Sequence, residues 1–153
     1  MKAARWIVVL IGAALAGCAS NPAVTLAGSD SDAAAKQFRP PEGRANLYIA
    51  RSESPVGNAA SFEIAVDGKT VGPIGPGTFY LVVVDPGTHT ITAATTLSSA
   101  KAAFDAAAGK NYFYQVTATG TGFTAQPGLG IVLLEDMGKI MVQQNRRAQG
   151  PGE

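Results

Sequence analysis

Ser61-Phe62-Glu63-Ile64-Ala65-Val66-Asp67-Gly68-Lys69-Thr70-Val71 is the stretch that decides the fold class. Phe62, Ile64 and Val66 alternate with Ser61, Glu63, Ala65 and Asp67, a period of two that places the apolar side chains on one face of an extended chain. Asp67-Gly68 follows at once, and both residues tolerate the positive φ that a two-residue type I′ hairpin turn demands. Lys69 to Val71 is then the return strand. Upstream, Leu47 and Ile49 alternate with Asn46, Tyr48 and Ala50. Downstream, Phe79 to Val84 is apolar on both faces and reads as a central strand. Asp85-Pro86-Gly87 is a turn, since proline presets φ and glycine supplies φ > 0. Thr88 to Thr96 alternates again, with His89, Ile91 and Ala93 on one face. Ala102, Phe104 and Ala106 oppose Lys101, Ala103 and Asp105, and a Gly109-Lys110 turn leads to a strand over Asn111 to Thr119.

The same reading makes Gly72 to Gly77 and Gly120 to Gly130 loops, and Ile131 to Glu135 a last apolar strand. Asp136 to Gln144 fits either a short helix or a strand, because Gly138 weakens a helix by about 1 kcal/mol relative to alanine. About seven short strands at this spacing predict an all-β small sandwich over residues 44–144, with a short C-terminal helix as the one helical option. Residues 145–153 are polar and Gly/Pro-containing, which predicts a disordered tail.

The amino terminus has a different grammar. Met1 to Arg5 carries two positive charges, and Trp6 to Ala16 is an uncharged apolar run of eleven residues. A membrane-spanning helix needs about 20, so this is the layout of an export signal. It ends in Leu15-Ala16-Gly17-Cys18, which resembles the bacterial lipobox of an aliphatic residue, two small residues and a cysteine. The resemblance implies a signal peptide over 1–17, cleavage between Gly17 and Cys18, and a diacylglyceryl thioether plus an N-acyl chain on Cys18. A thiolate is the side chain nucleophilic enough for that transfer. Two or more acyl chains hold a protein firmly on its membrane. Ala19 and Ser20 follow the cysteine where retention in the inner membrane of enteric-type bacteria is associated with aspartate. The resemblance therefore implies the outer membrane, facing the periplasm. Residues 18–43 are rich in Ala, Ser, Asp, Pro and Gly and read as a flexible tether, with one helical turn available at Ala33 to Lys36.

Composition narrows the partners. The 153 residues are 46% hydrophobic and 15% charged, enough for a core. Without residues 1–17 the chain keeps ten basic residues against eleven acidic ones, a net charge of −1, which lacks the basic footprint of a nucleic-acid binder. The single cysteine allows no internal disulfide. One histidine and a lipidated cysteine cannot supply a zinc site, and Asp30 and Asp32 run into alanines where a calcium loop needs further oxygens. No metal and no cofactor beyond the covalent lipid are expected. The residues specify no oligomeric state.

The order Ala45-Asn46-Leu47-Tyr48-Ile49-Ala50-Arg51, Val66-Asp67-Gly68, Gly77-Thr78-Phe79-Tyr80, Pro86-Gly87-Thr88-His89-Thr90 and Ala108-Gly109-Lys110-Asn111-Tyr112-Phe113 resembles small bacterial lipoproteins grouped as a domain of unknown function. The Pro-Gly-x-His-Thr stretch is also similar to PEGA-type β-domains of bacterial surface proteins. The likeness covers roughly Arg44 to Glu135 and implies an Ig-like or PEGA-like sandwich, with no catalytic residues to carry over.

Two sets of residues invite a functional reading. Tyr48, Tyr80, Tyr112 and Tyr114 are candidates for an aromatic surface that binds an envelope protein or glycan, with sandwich packing as the alternative. His89 is a candidate general base oriented by Asp85, with Ser98 or Ser99 as nucleophile, although no nucleophile-elbow motif occurs. The favoured expectation is a non-enzymatic, membrane-anchored envelope protein that binds another envelope component. A hydrolase centred on His89 is the second expectation, and a structural envelope protein without a fixed ligand is the third.

Overall fold

A computed structural model describes residues 24–54, 60–120 and 124–152. The signal peptide, Gly17 and Cys18 lie outside the described residues. Among the described residues nine strands form two sheets: β1 (Ala45–Arg51), β2 (Phe62–Val66), β3 (Lys69–Ile74), β4 (Thr78–Val84), β5 (Gly87–Ala94), β6 (Ser99–Ala106), β7 (Asn111–Thr119), β8 (Gln126–Ile131) and β9 (Arg146–Arg147). Two helices, α1 (Ser29–Ala35) and α2 (Glu135–Gln144), accompany them. The first sheet runs β8-β7-β1-β4-β9 and the second β3-β2-β5-β6. This is the all-β sandwich expected, with one departure from an Ig-like plan of antiparallel sheets. The β1–β7 and β4–β9 pairs are parallel.

The second sheet follows the sequence pattern closely. The β2–β3 hairpin turns on Asp67 at φ 51 and Gly68 at φ 76, as a type I′ turn requires. Val66 pairs with Lys69, and a register shift after Ile64 leaves Val71 as an extra residue on β3. Phe62, Ile64, Ile91 and Ala93 are fully buried and face the first sheet, packing on Leu47, Ile49, Tyr80 and Tyr114. Each fully buried Phe or Ile side chain contributes about 1.5–3 kcal/mol.

The first sheet has a second apolar face. Every residue of β1 is buried, so β1 rather than β4 is the strand sealed on both sides. Its outer face carries Tyr48 and Ala50, which join Phe79, Phe113, Ala35, Met141 and Val142 in a separate cluster beneath the helices. Tyr48 stacks on Phe113 with ring centroids 5.1 Å apart and 12° between planes. Asn46 is buried among them, and its amide donates to Asn111 Oδ1 at 3.1 Å and to Tyr48 Oη at 3.4 Å. The Tyr48 hydroxyl in turn donates to the Ala35 carbonyl at 2.7 Å. Burial, its main cause, raises the Tyr48 pKa to about 12, so it stays a donor.

Several sequence expectations change here. Of the tether 18–43, residues 24–43 belong to the folded body: Val24 and Ala35 are buried, and Leu26 bridges Ala148. The backbone of 25–27 bonds to that of 147–149, through Ala27 N–H to Arg147 O at 3.0 Å and Gln149 N–H to Thr25 O at 2.8 Å. Asp32 ties α1 to β9 by accepting the Arg147 N–H at 2.7 Å, and it pairs with Lys36 at 2.8 Å. Small polar residues read as a linker because nothing local reveals the partner strand. For the same reason residues 145–153, expected to be disordered, contain β9 and a buried Ala148.

Residues 72–74 continue β3, and 126–130 belong to β8 where a loop was expected. The segment 131–135 ends β8 and enters α2 instead of forming a strand of its own. The ambiguous stretch 136–144 is helical. Gly138 is what lets it dock, because a Cβ there would run into the Phe113 ring and stand 2.8 Å from the Phe113 Cβ.

Candidate functional site

The turns β2–β3 and β4–β5 meet at one end of the sandwich, and a three-residue arrangement locks them together. Asp67 sits at the tip of its hairpin with its carboxylate turned back onto β5. One oxygen accepts the Thr90 N–H at 2.8 Å, and the other lies 2.6 Å from His89 Nδ1. His89 Nε2 lies 2.7 Å from the carbonyl oxygen of Asp85. A carboxylate and a carbonyl can only accept, so both ring nitrogens must donate and the ring is an imidazolium. The hydrogen bond to Asp67 is accordingly the chief cause that raises the His89 pKa above its ordinary value, and the same bond chiefly holds Asp67 below its own. The ring also packs on Phe104, centroids 5.7 Å apart. Beside it, Arg44 Nε pairs with Asp85 Oδ1 at 2.7 Å, and the Arg44 guanidinium donates to the Val83 carbonyl at 3.3 Å.

Behind this end runs a groove of about 400 Å³ along the open side of the sandwich, between β3 and β4. That volume falls in the range of small-ligand and peptide clefts. Its walls include Val66, Val71, Tyr80, Val82 and Val84, and the C-terminal residues Ala148, Gly150 and Pro151 complete it. The Tyr80 hydroxyl donates to the Pro73 carbonyl at 3.0 Å, and burial raises its pKa to about 12. Around the mouth stand Arg44, Lys69, Arg147 and the His89 imidazolium against Asp67 and Asp85. The rim is therefore net positive above an apolar floor. Chemically it suits an elongated ligand that offers apolar groups to the floor and a negative group to the rim.

The tyrosines expected to form one surface are not together. Tyr48 is fully buried under the helices, and Tyr80 is buried between the sheets on the opposite face of the same sheet. Tyr112 is half-buried against Phe104, with its hydroxyl accepting the Ala107 N–H at 2.9 Å. Tyr114 is buried as well. Tyr48, Tyr80 and Tyr112 thus serve packing, because strand register puts Tyr48 opposite Leu81 while Tyr80 lies opposite Ile49.

His89 and the candidate serines are also apart. Ser99 pairs with Ala94, five residues along β5 from His89, which is roughly 17 Å at the rise of an extended strand. Ser98 closes the turn beyond it, its N–H donating to Thr95 Oγ1 at 3.0 Å. Asp85 meets the ring through its backbone carbonyl, while its carboxylate faces Arg44. Sequence reasoning did not single out Asp67, Arg44 or Lys69 as site residues. Asp67 carried only a turn signal, and its partner lies 22 residues away.

Among the described residues no group of three or more His, Cys, Asp or Glu could hold a metal ion, and no helix is long and apolar enough to cross a membrane. Fold and site together define a two-sheet β-sandwich with helices over one outer face and a cation-rimmed groove along its open side. The chain belongs to the family described as Protein of unknown function (DUF2846), whose model matches residues 41–127. That span holds β1 to β7, the start of β8, and Arg44, Asp67, Asp85 and His89. It leaves out α1, α2 and β9. A Haemophilus influenzae protein described as uncharacterized is 32% identical over 111 residues, which are 72% of this chain and 64% of that protein. The chain thus spans less than two thirds of that relative's length. No solved structure matches.

Proposed function

We propose that this chain is an envelope lipoprotein whose β-domain binds an extended segment of another envelope protein in the groove between β3 and β4. In this reading the signal peptide 1–17 is removed at Gly17/Cys18, Cys18 carries the acyl chains, and the domain stays on the outer membrane facing the periplasm. The charged start, the apolar run of eleven residues and Leu15-Ala16-Gly17-Cys18 support the anchoring half. The PEGA-like turn Pro86-Gly87-Thr88-His89-Thr90 belongs to the same reading, as a small surface β-module held by a pinned turn. The groove carries the binding half: an apolar floor beside an edge strand, under a net positive rim, matches an extended acidic peptide better than a bulky neutral ligand.

Mass spectrometry of the mature protein tests the anchor, and the expected product begins at Cys18 with added acyl mass. An unmodified thiol there sinks that half. For the groove, a photo-crosslinking residue at Thr70 on β3 in intact cells is expected to give a discrete protein adduct. The same residue at Lys101 on β6 should not. Lys69→Glu should weaken the Thr70 adduct severalfold. Equal adducts at both edges, an adduct that ignores Lys69→Glu, or a glycan in place of a protein would each overturn the peptide reading.

A further inference from the structure

Seven large apolar side chains are exposed among the described residues, and five of them lie within ten residues: Ile131, Leu133, Leu134, Met137 and Ile140. Leu133 is 83% exposed and Leu134 70%. A lone exposed leucine needs no explanation, but a contiguous apolar patch marks an interaction surface. These residues occupy the link from β8 into α2 and the outer side of α2, whose opposite side (Gly138, Met141, Val142) is already seated on the first sheet.

Register locates the patch. Ile131 pairs with Tyr114, and the Val132 N–H donates to the Phe113 carbonyl at 2.8 Å, so Leu133 and Leu134 emerge level with the start of β7. Asn111 there pairs with Asn46, and Asn46 with Val83, so this is the end of the sheet where β4 finishes. At the other edge, β9 runs parallel to β4 while residues 25–27 run antiparallel to 147–149. Followed toward the amino terminus, the chain at Val24 therefore heads to that same end. Only five residues separate Val24 from Cys18. Fully extended, that stretch reaches roughly 20 Å. Five strand spacings separate the Leu26 segment from β8, about 24 Å, so a single plane touches both.

We infer that this end of the sandwich rests on the lipid bilayer, with Leu133, Leu134 and Met137 set into the boundary between headgroups and acyl chains. The inference rests on lipidation of Cys18, which fixes the anchored end. Lys110, Glu135, Asp136 and Lys139 stand beside the patch, and Arg44, Lys69 and His89 with Asp67 and Asp85, around the groove mouth, lie at the same end. The patch itself makes an apolar contact, and the cationic groove mouth adds attraction to anionic headgroups.

The mature chain contains no tryptophan once residues 1–17 are removed, because Trp6 is the sole one. Leu134→Trp therefore adds a single reporter, and Leu97→Trp, at an 81% exposed site on the turn at the far end of β5 and β6, adds a control. Each lipidated protein is placed in phosphatidylcholine vesicles containing phospholipid brominated near the headgroup. The reporter at 134 is expected to shift to the blue and lose more than half its intensity, and the one at 97 to keep both. Leu133→Trp repeats the test if the first variant folds poorly by circular dichroism. Acylated protein with no quenching at 134, or equal quenching at 97, overturns the seating and leaves the lipoprotein reading standing. A blue shift without quenching assigns the patch to a second copy or a protein partner and overturns it too. Absence of acyl mass on Cys18 removes both readings together.

Discussion

The two faces of the first sheet are both sealed, yet by different means. Toward the second sheet, Leu47, Ile49 and Tyr80 meet Phe62, Ile64 and Ile91, strand against strand, and the fit follows from alternation alone. Toward the helices, Tyr48, Phe79 and Phe113 are covered by segments from the two ends of the chain, α1 and α2. That face also holds the buried amide–hydroxyl chain from Asn111 through Asn46 and Tyr48 to the Ala35 carbonyl. Buried polar groups fix one arrangement because each must keep its partner. The comparison teaches that the sandwich face needs only the right pattern, whereas the helix face needs particular atoms in place.

The most forceful way to break this contrast is Phe113→Ala, expected to cost about 3–5 kcal/mol through the cavity it leaves. Hydrogen exchange should show α1 and α2 opening first while β2 and β5 stay protected. Ile91→Ala, at about 2–5 kcal/mol, should instead loosen both sheets together. If the two variants give the same exchange pattern, the faces are one cooperative core. Gly138→Ala sharpens the point at lower cost. Alanine gains about 1 kcal/mol of helix propensity. It loses about 1–3 kcal/mol by pressing on Phe113. A lowered Tm is therefore expected, and a raised one would mean that α2 does not seat against that ring.

The smallest effect belongs to the polar pin outside both faces. The His89 pKa is raised, so its stabilisation is complete below the ordinary histidine value and is lost as pH rises through the raised value. Asp67 is lowered, so its share is present above the ordinary carboxylate value and is lost as pH falls through the lowered one. Wild-type and His89→Gln proteins should therefore differ most in Tm at about pH 5–6, between the two ordinary values. The gap should narrow as alkaline pH removes the ring proton. A gap that stays constant into the alkaline range would rule out the imidazolium.

Legibility in the sequence tracks the distance over which each feature is specified. The β2–β3 hairpin was readable because Phe62, Ile64, Val66, Asp67 and Gly68 all act within a few residues, and β7 matched its expected bounds for the same reason. Placing Phe79 to Val84 at the centre failed by one position. Its apolar run reads as buried on both faces, yet Leu81 and Val82 are only half-buried and Val83 is exposed, because β9 pairs with β4 at Thr78 and Phe79 alone and leaves its later residues uncovered. The tyrosines misled because a side chain that suits an interface also suits an aromatic core. The groove left no local trace, since β3, β4 and residues 148–151 contribute to it from places far apart in the chain.

By itself the sequence determined the all-β class, the hairpin at Asp67-Gly68 and the turn at Asp85-Pro86-Gly87, because dihedral preference and side-chain alternation act between near neighbours. The docking of residues 24–43 and 145–152, the helical state of 135–144 and the closing of His89 between Asp67 and Asp85 were decided only in the tertiary structure. Small and polar residues carry little intrinsic preference, so their conformation is set by the surface they meet, and that surface exists only after the sheets have formed.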